Sequence, residues 1–288
     1  MRERFVDSGG VKIHVVEQGP EDGSPVLFLH GFPEFWWSWR HQLEACAEAG
    51  YRAVAMDLRG FGDSDKPDDV GAYALPNALA DVGNVAETLG GRVALVSHDW
   101  GGALGWAYTA FSADNVERCV VMNLPHLNVM GDRVRNFRQL QLSWYMLFFQ
   151  FEGIAEDVLS RNGYELLRSW FYDTASVRLA EEDIARYVEV FSRPGAPTAG
   201  LNWYRANVPP ESLMREQRAS LPPITCPTMV LWGLDDAYLS FDLGRRSGEF
   251  VEGPFALHTF PDTGHWIQQE RPDEVNALLL EFLATDFG

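Results

Sequence analysis

The chain has 288 residues, 46% hydrophobic, 22% charged and 13% aromatic, with a formal net charge of −18. That is ordinary globular composition, long enough to bury a substantial core without covalent staples. So acidic a surface repels phosphate, which argues against binding nucleic acid or an anionic membrane surface.

Taken in chain order, Met1–Asp7 contains no apolar h-region, so no secretory leader is expected. No stretch approaches the roughly 18 apolar residues of a membrane span. Val11–Glu17 alternates after a Ser-Gly-Gly turn and predicts an N-terminal hairpin. Short apolar runs follow at Pro25–Leu29, Arg52–Leu58, Arg92–Ser97 and Glu117–Leu124. Helix-like segments lie between them at about Trp37–Ala49, Pro76–Leu89 and Trp100–Phe111. Strand, helix, strand in this order builds right-handed crossover units and a parallel sheet. The strands are apolar nearly throughout, as they must be when helices cover both faces.

The rhythm changes from about Pro125 to Pro222, a stretch that reads as helical and is rich in aromatic residues. Strands return at Pro227–Gly233 and Phe255–Pro261, and Pro272–Leu283 reads as a closing helix. The expected organisation is a core of residues 1–125 and 222–288 with a helical cap, 126–221, inserted between its parts. Cys46, Cys119 and Cys226 are odd in number and lack metal-ligand spacing. They are expected to be free thiols of a cytoplasmic protein.

The most informative segment is Ser97-His98-Asp99-Trp100-Gly101-Gly102, entered by a strand and left by an Ala- and Gly-rich helix. The pattern small-x-Asp-x-Gly is a nucleophile elbow with Asp where Ser usually stands. Its strained turn demands small neighbours and lifts the side chain above the sheet. Taken alone, Asp99 also fits a helix cap, the commonest role of Asp at such a junction. Three companions favour the elbow. His30-Gly31-Phe32-Pro33 follows the second apolar run, where an elbow enzyme draws one oxyanion-binding amide, here Phe32; Trp100 would supply the other. The acid pair Asp235-Asp236 follows Val230-Leu231-Trp232-Gly233, and His265 lies in Asp262-Thr263-Gly264-His265-Trp266. Nucleophile, acid, histidine is the chain order of the α/β-hydrolase fold.

With these residues in place the sequence resembles the α/β-hydrolase epoxide hydrolases, with haloalkane dehalogenases as close relatives. The likeness rests on His30-Gly31-Phe32-Pro33, on Asp57-Leu58-Arg59-Gly60-Phe61-Gly62-Asp63-Ser64, on His98-Asp99-Trp100-Gly101-Gly102, on Gly233-x-x-Asp236 and on Gly264-His265-Trp266. It spans nearly the whole chain. It implies an α/β fold with a mostly parallel sheet, flanking helices and a helical cap. By the same resemblance Asp99 is the nucleophile, His265 the base and Asp236, rather than Asp235, the acid that orients it. No cofactor or metal is implied.

The residue type constrains the chemistry independently. Serine attacking saturated carbon would leave an ether that water and histidine cannot cleave. A carboxylate leaves an ester, whose own carbonyl carbon water can then attack. Asp99 therefore points to epoxide opening or halide loss, and away from esterase, lipase or peptidase chemistry. Opening an epoxide needs an acid for the developing alkoxide, and a Tyr O–H serves. Tyr145, in Ser143-Trp144-Tyr145-Met146, and Tyr204, in Asn202-Trp203-Tyr204-Arg205, resemble the paired ring-opening tyrosines of epoxide hydrolase caps. An isolated Tyr in such helices would otherwise be a packing residue.

The dehalogenase alternative needs a polar halide partner. Phe32 stands where some dehalogenases carry that Asn, so an indole N–H from Trp36, Trp37, Trp39, Trp144 or Trp203 would have to serve. A non-catalytic receptor would tolerate loss of a triad member, yet all three are present. Trp100, Trp37, Phe32 and Trp144 are the expected substrate contacts, and the expected substrate is a small apolar epoxide. The chain departs from many relatives at Pro125-His126-Leu127-Asn128, which lacks a second Pro after His; His126 is read as structural or pocket-lining. Monomer and homodimer both remain open.

Overall fold

A computed structural model describes residues 1–131, 136–177, 179–214 and 220–287. Eight strands form one sheet: β1 (Arg2–Ser8), β2 (Val11–Gln18), β3 (Pro25–Leu29), β4 (Arg52–Met56), β5 (Val93–His98), β6 (Val116–Met122), β7 (Thr228–Gly233) and β8 (Phe255–Phe260). Their spatial order is β1-β2-β4-β3-β5-β6-β7-β8. The hairpin β1–β2 joins β4 antiparallel, and β4, β3, β5, β6, β7 and β8 run parallel. This is the α/β-hydrolase fold that the resemblance implied. β3, β5 and β7 are buried almost end to end, because helices cover both faces.

Those helices are α1 (Arg40–Glu48), α2 (Leu75–Glu87), α3 (Asp99–Phe111) and the closing α13 (Pro272–Ala284). The helix expected from Trp37 begins instead as a 3₁₀ turn, Trp36–Trp39, and becomes α-helical at Arg40. Trp39 packs its fully buried ring on Phe28 of β3, with centroids 5.3 Å apart.

Between β6 and β7 lie α4 (Leu127–Met130), α5 (Phe137–Leu142), α6 (Trp144–Phe148), α7 (Ile154–Thr174), α8 (Glu181–Phe191), α9 (Ala196–Asn207) and α10 (Pro210–Met214). Non-helical backbone at Arg161–Tyr164, three residues of it with positive φ, breaks α7 into two arms. The insertion is tied to the sheet domain by directed bonds. Trp203 Nε1 donates to the Arg59 carbonyl at 3.0 Å, Asn207 Nδ2 donates to the Tyr73 carbonyl at 2.9 Å, and the Leu75 amide donates to Asn207 Oδ1 at 2.8 Å.

Register fixes where the site can form. Leu29 lies level with Met56 and with Ser97, and His98 with Met122. The loops after β3, β5, β6, β7 and β8 therefore emerge together at one sheet edge, the carboxyl ends of parallel strands where α/β sheets bind ligands. The last two short helices are α11 (Phe241–Gly244) and α12 (Ile267–Glu270). Among the described residues, no helix is long and apolar enough to cross a membrane. Cys46 and Cys119 are buried free thiols, and Cys226 is a half-buried one.

Candidate active site

Asp99 sits where β5 turns into α3, with φ at +49°. This left-handed conformation is costly for a residue bearing a Cβ and persists only when its surroundings enforce it. The neighbours show why they must be small. A Cβ on Gly101 would lie 2.2 Å from the Leu29 carbonyl oxygen, and one on Gly31 would lie 2.3 Å from the Asp99 Cβ. Two residues before Asp99, Ser97 is met by Gly105, where a Cβ would come within 2.4 Å of the Ser97 hydroxyl. The turn closes with the Gly101 amide donating to the His30 carbonyl at 3.0 Å.

The loop after β3 reaches over this turn. The Phe32 amide donates to Asp99 Oδ1 at 2.8 Å. His30 staples the loop in place, bonding the Gly31 carbonyl through Nδ1 at 2.8 Å and accepting the Leu58 amide on Nε2 at 3.0 Å. Trp100 occupies the second position of α3, where a helix leaves its amide without an intrahelical acceptor.

His265, in the loop after β8, faces Asp99 with Nε2 3.6 Å from Oδ2. Its Nδ1 lies 2.8 Å from Asp236 Oδ2, in the loop after β7. Asp236 is locked by three further donors: Tyr238 N–H at 2.7 Å, Leu239 N–H at 2.9 Å and Asn123 Nδ2 at 2.7 Å. Asp235 is exposed and instead accepts the Ser176 hydroxyl at 3.3 Å. Burial opposes charge on His265, but Asp236 first and Asp99 second overcome it and raise the imidazole to about 10. Burial likewise works against ionised Asp99, yet the His265 imidazole, His98 and the Phe32 amide hold its carboxyl below the usual range.

Two chambers meet at Asp99. The larger, about 510 Å³, is walled by apolar side chains including Leu124, Leu127, Met130, Met146, Val208 and Leu239. The smaller, about 20 Å³, is bounded by Phe32, Pro33, Trp170, Tyr238, His265 and Trp266. Asp99, Tyr145 and Tyr204 line both. The two tyrosine rings meet edge to face, 5.8 Å between centroids, and Tyr204 packs edge-on to Trp100 at 5.1 Å. Burial first, helped by the Asp99 charge at Tyr145 and by the Tyr145 phenol and then Asp99 at Tyr204, pushes both phenols well above 10, so they stay protonated donors. A carboxylate, an imidazole backed by a second carboxylate and two phenol donors thus converge on one apolar cavity.

The family model described as "Alpha/beta hydrolase family" matches residues 26–278. The chain belongs to the alpha/beta hydrolase family. It is 37% identical to epoxide hydrolase 3 of Xenopus tropicalis, over 99% of this chain and 77% of that protein. It is 34% identical to epoxide hydrolase A of Mycobacterium tuberculosis, over 98% and 97% of the two chains. A Bacillus megaterium epoxide hydrolase, solved in complex with an inhibitor, superposes with a TM-score of 0.89 at 28% identity, covering 98% of this chain and all of that one.

Within this alpha/beta hydrolase, the structure brings Asp99, His265, Asp236, Tyr145, Tyr204, Phe32 and Trp100 to one place. It does not bring two of the expected substrate contacts there. Trp37 gives its indole N–H to Asp183 at 2.8 Å and stacks under Arg186, clear of both chambers. Trp144 is 59% exposed on the outer side of α6 and packs on Phe148. His126 also lies apart, stacked on Phe250 and capping α4. Several residues at the site were not foreseen. Glu34, fully buried, bonds His98 Nδ1 at 2.9 Å, while His98 Nε2 meets the His265 carbonyl at 2.9 Å. Asn123, at φ +44°, ties Asp236 to the end of β6. Trp170 and Tyr238 close the small chamber. Glu34 stands directly after the His-Gly-Phe-Pro motif, which could have drawn attention to it. Nothing in the local sequence marked Trp170.

Proposed function

We propose that the chain is an epoxide hydrolase that forms vicinal diols through a covalent ester on Asp99. The observation that carries this reading is the shared lining of both chambers by Asp99, Tyr145 and Tyr204. It sets a carboxylate nucleophile and two proton donors around the same small volume, and the likeness to proteins named epoxide hydrolases agrees with it.

In this mechanism the helical insertion is a cap over the sheet edge, and substrate binds beneath it. Tyr145 and Tyr204 hydrogen-bond the ring oxygen. An Asp99 oxygen forms a bond to a ring carbon, the C–O bond breaks, and the oxygen takes its electron pair and a phenol proton. The attacking carboxylate becomes a neutral ester. That removes the Asp99 charge, one of the two influences that raise His265, so the imidazolium releases its proton to solvent and the neutral imidazole can act as base. Water gives a proton to His265 and attacks the Asp99 carbonyl carbon, with the oxyanion held by the Phe32 and Trp100 amides. Collapse breaks the ester C–O bond, and His265 protonates the departing diol oxygen. The remaining water proton, left on Asp99, returns to the tyrosinate.

Haloalkane dehalogenation is less well served. The Trp37 and Trp203 indoles are committed to Asp183 and to the Arg59 carbonyl, and Trp144 faces outward. Assays of diol release from styrene oxide beside halide release from bromoalkanes test the reading. It predicts diol and no halide; halide without diol would overturn it.

A further inference from the structure

We propose that the site is built for terminal epoxides, with one sizeable apolar substituent on one ring carbon and only hydrogen on the other; this rests on the epoxide hydrolase reading above. Attack on a ring carbon comes from the side opposite the breaking C–O bond. With the oxygen towards Tyr145 and Tyr204 and the attacked carbon towards Asp99, the C–C bond spans the waist those three residues form between the chambers. The two carbons then direct their substituents into different chambers.

The chambers are unequal: about 510 Å³ against about 20 Å³. The smaller chamber is a small fraction of the larger, so it has room for water but not for a sizeable alkyl chain. Its walls are braced. Phe32 and Trp170 lie 6.0 Å apart between centroids, and Phe149 backs Trp170 at 5.7 Å. His265 lines the small chamber and not the large one, so the water held there is the one beside the imidazole. A substituent on the second carbon would therefore collide with Phe32 and Trp170 and occupy the space that hydrolysis of the ester requires. The large chamber, walled by side chains such as Leu127, Met130 and Val208, suits an alkyl or aryl group.

The test uses two isomers of one composition, 1,2-epoxyoctane and trans-4,5-epoxyoctane, with styrene oxide as reference. The enzyme is expected to favour the terminal isomer by about 100-fold in kcat/KM, the scale at which an apolar pocket rejects surplus methylenes. Trp170→Ala opens the wall and is expected to narrow that ratio at least about 10-fold, with Trp170→Phe between. Equal use of the two isomers by the wild type overturns the proposal and leaves the epoxide hydrolase reading standing. Conversion of neither isomer nor of styrene oxide overturns that reading, and the proposal with it. An unchanged ratio in Trp170→Ala, shown to be folded by its melting transition, overturns the assignment of the small-chamber wall.

Discussion

Asp99 and His265 are coupled by charge as well as by position. The imidazole is raised to about 10 because two carboxylates, Asp236 and Asp99, outweigh its burial. Asp99→Asn removes one of them while keeping the shape. The expected outcome is abolished diol release together with a His265 pKa well below about 10, followed by NMR titration of the imidazole. An unmoved pKa would show that Asp99 and His265 do not sense each other. The tyrosines act on the other side of the reaction. Since burial and nearby charge keep both protonated, loss of their hydroxyls removes the acid and not a base. Tyr145→Phe with Tyr204→Phe is expected to lower kcat by at least about 100-fold without weakening the fold; wild-type turnover in the double variant would remove the tyrosines from the mechanism.

At the scale of elements, the site is an assembly of loop ends, and buried acids hold those ends together. Glu270, in α12, accepts the Gly264 amide at 2.9 Å and the Trp266 amide at 3.1 Å on either side of His265. It also accepts the Ser176 and Val177 amides of the insertion at 2.9 and 3.0 Å. One carboxylate thus fixes the histidine loop and anchors the segment after α7 to it. Glu270→Ala orphans two buried amides, Gly264 and Trp266, and is expected to cost about 2–6 kcal/mol in denaturant unfolding, at 1–3 kcal/mol per buried orphan. A loss below about 0.5 kcal/mol would mean that water replaces the carboxylate freely. The positions of Asp99, Asp236 and His265 were legible in the sequence because each follows a strand, and parallel strands in register deliver their ends to one edge. The facing of helical side chains was not legible. Trp37 and Trp144 carry the same aromatic label as Trp170, and only the packing of α7 and α8 shows that Trp170 turns inward while Trp37 pairs with Asp183. Glu34, Asn123 and Glu270 escaped for a related reason: each ties in a partner far along the chain, 64, 113 and 94 positions away.

Across the whole molecule the buried histidines set the pH response. Burial lowers His30 and takes His126 down to about 4. Unfolded, both titrate at 6.5, so the unfolded chain binds more protons as pH falls below 6.5 and stability drops. His14 and His265 are raised against their burial by Asp57 and by Asp236 with Asp99. Their contribution is complete below pH 6.5 and is lost as pH rises, for His265 through about 10. The melting temperature is therefore expected to peak near pH 6.5, with the alkaline decline shallower in His265→Gln; a steady rise in stability to pH 10 would contradict these assignments. The same variant serves the central claim, that Asp99 takes the substrate covalently before water releases it. His265→Gln should still open the epoxide but should not hydrolyse the ester. After incubation with styrene oxide, peptide mass spectrometry is predicted to find the peptide containing Asp99 heavier by one substrate mass. Unmodified Asp99 in a folded variant that no longer turns over, or full multiple turnover by that variant, would contradict the account.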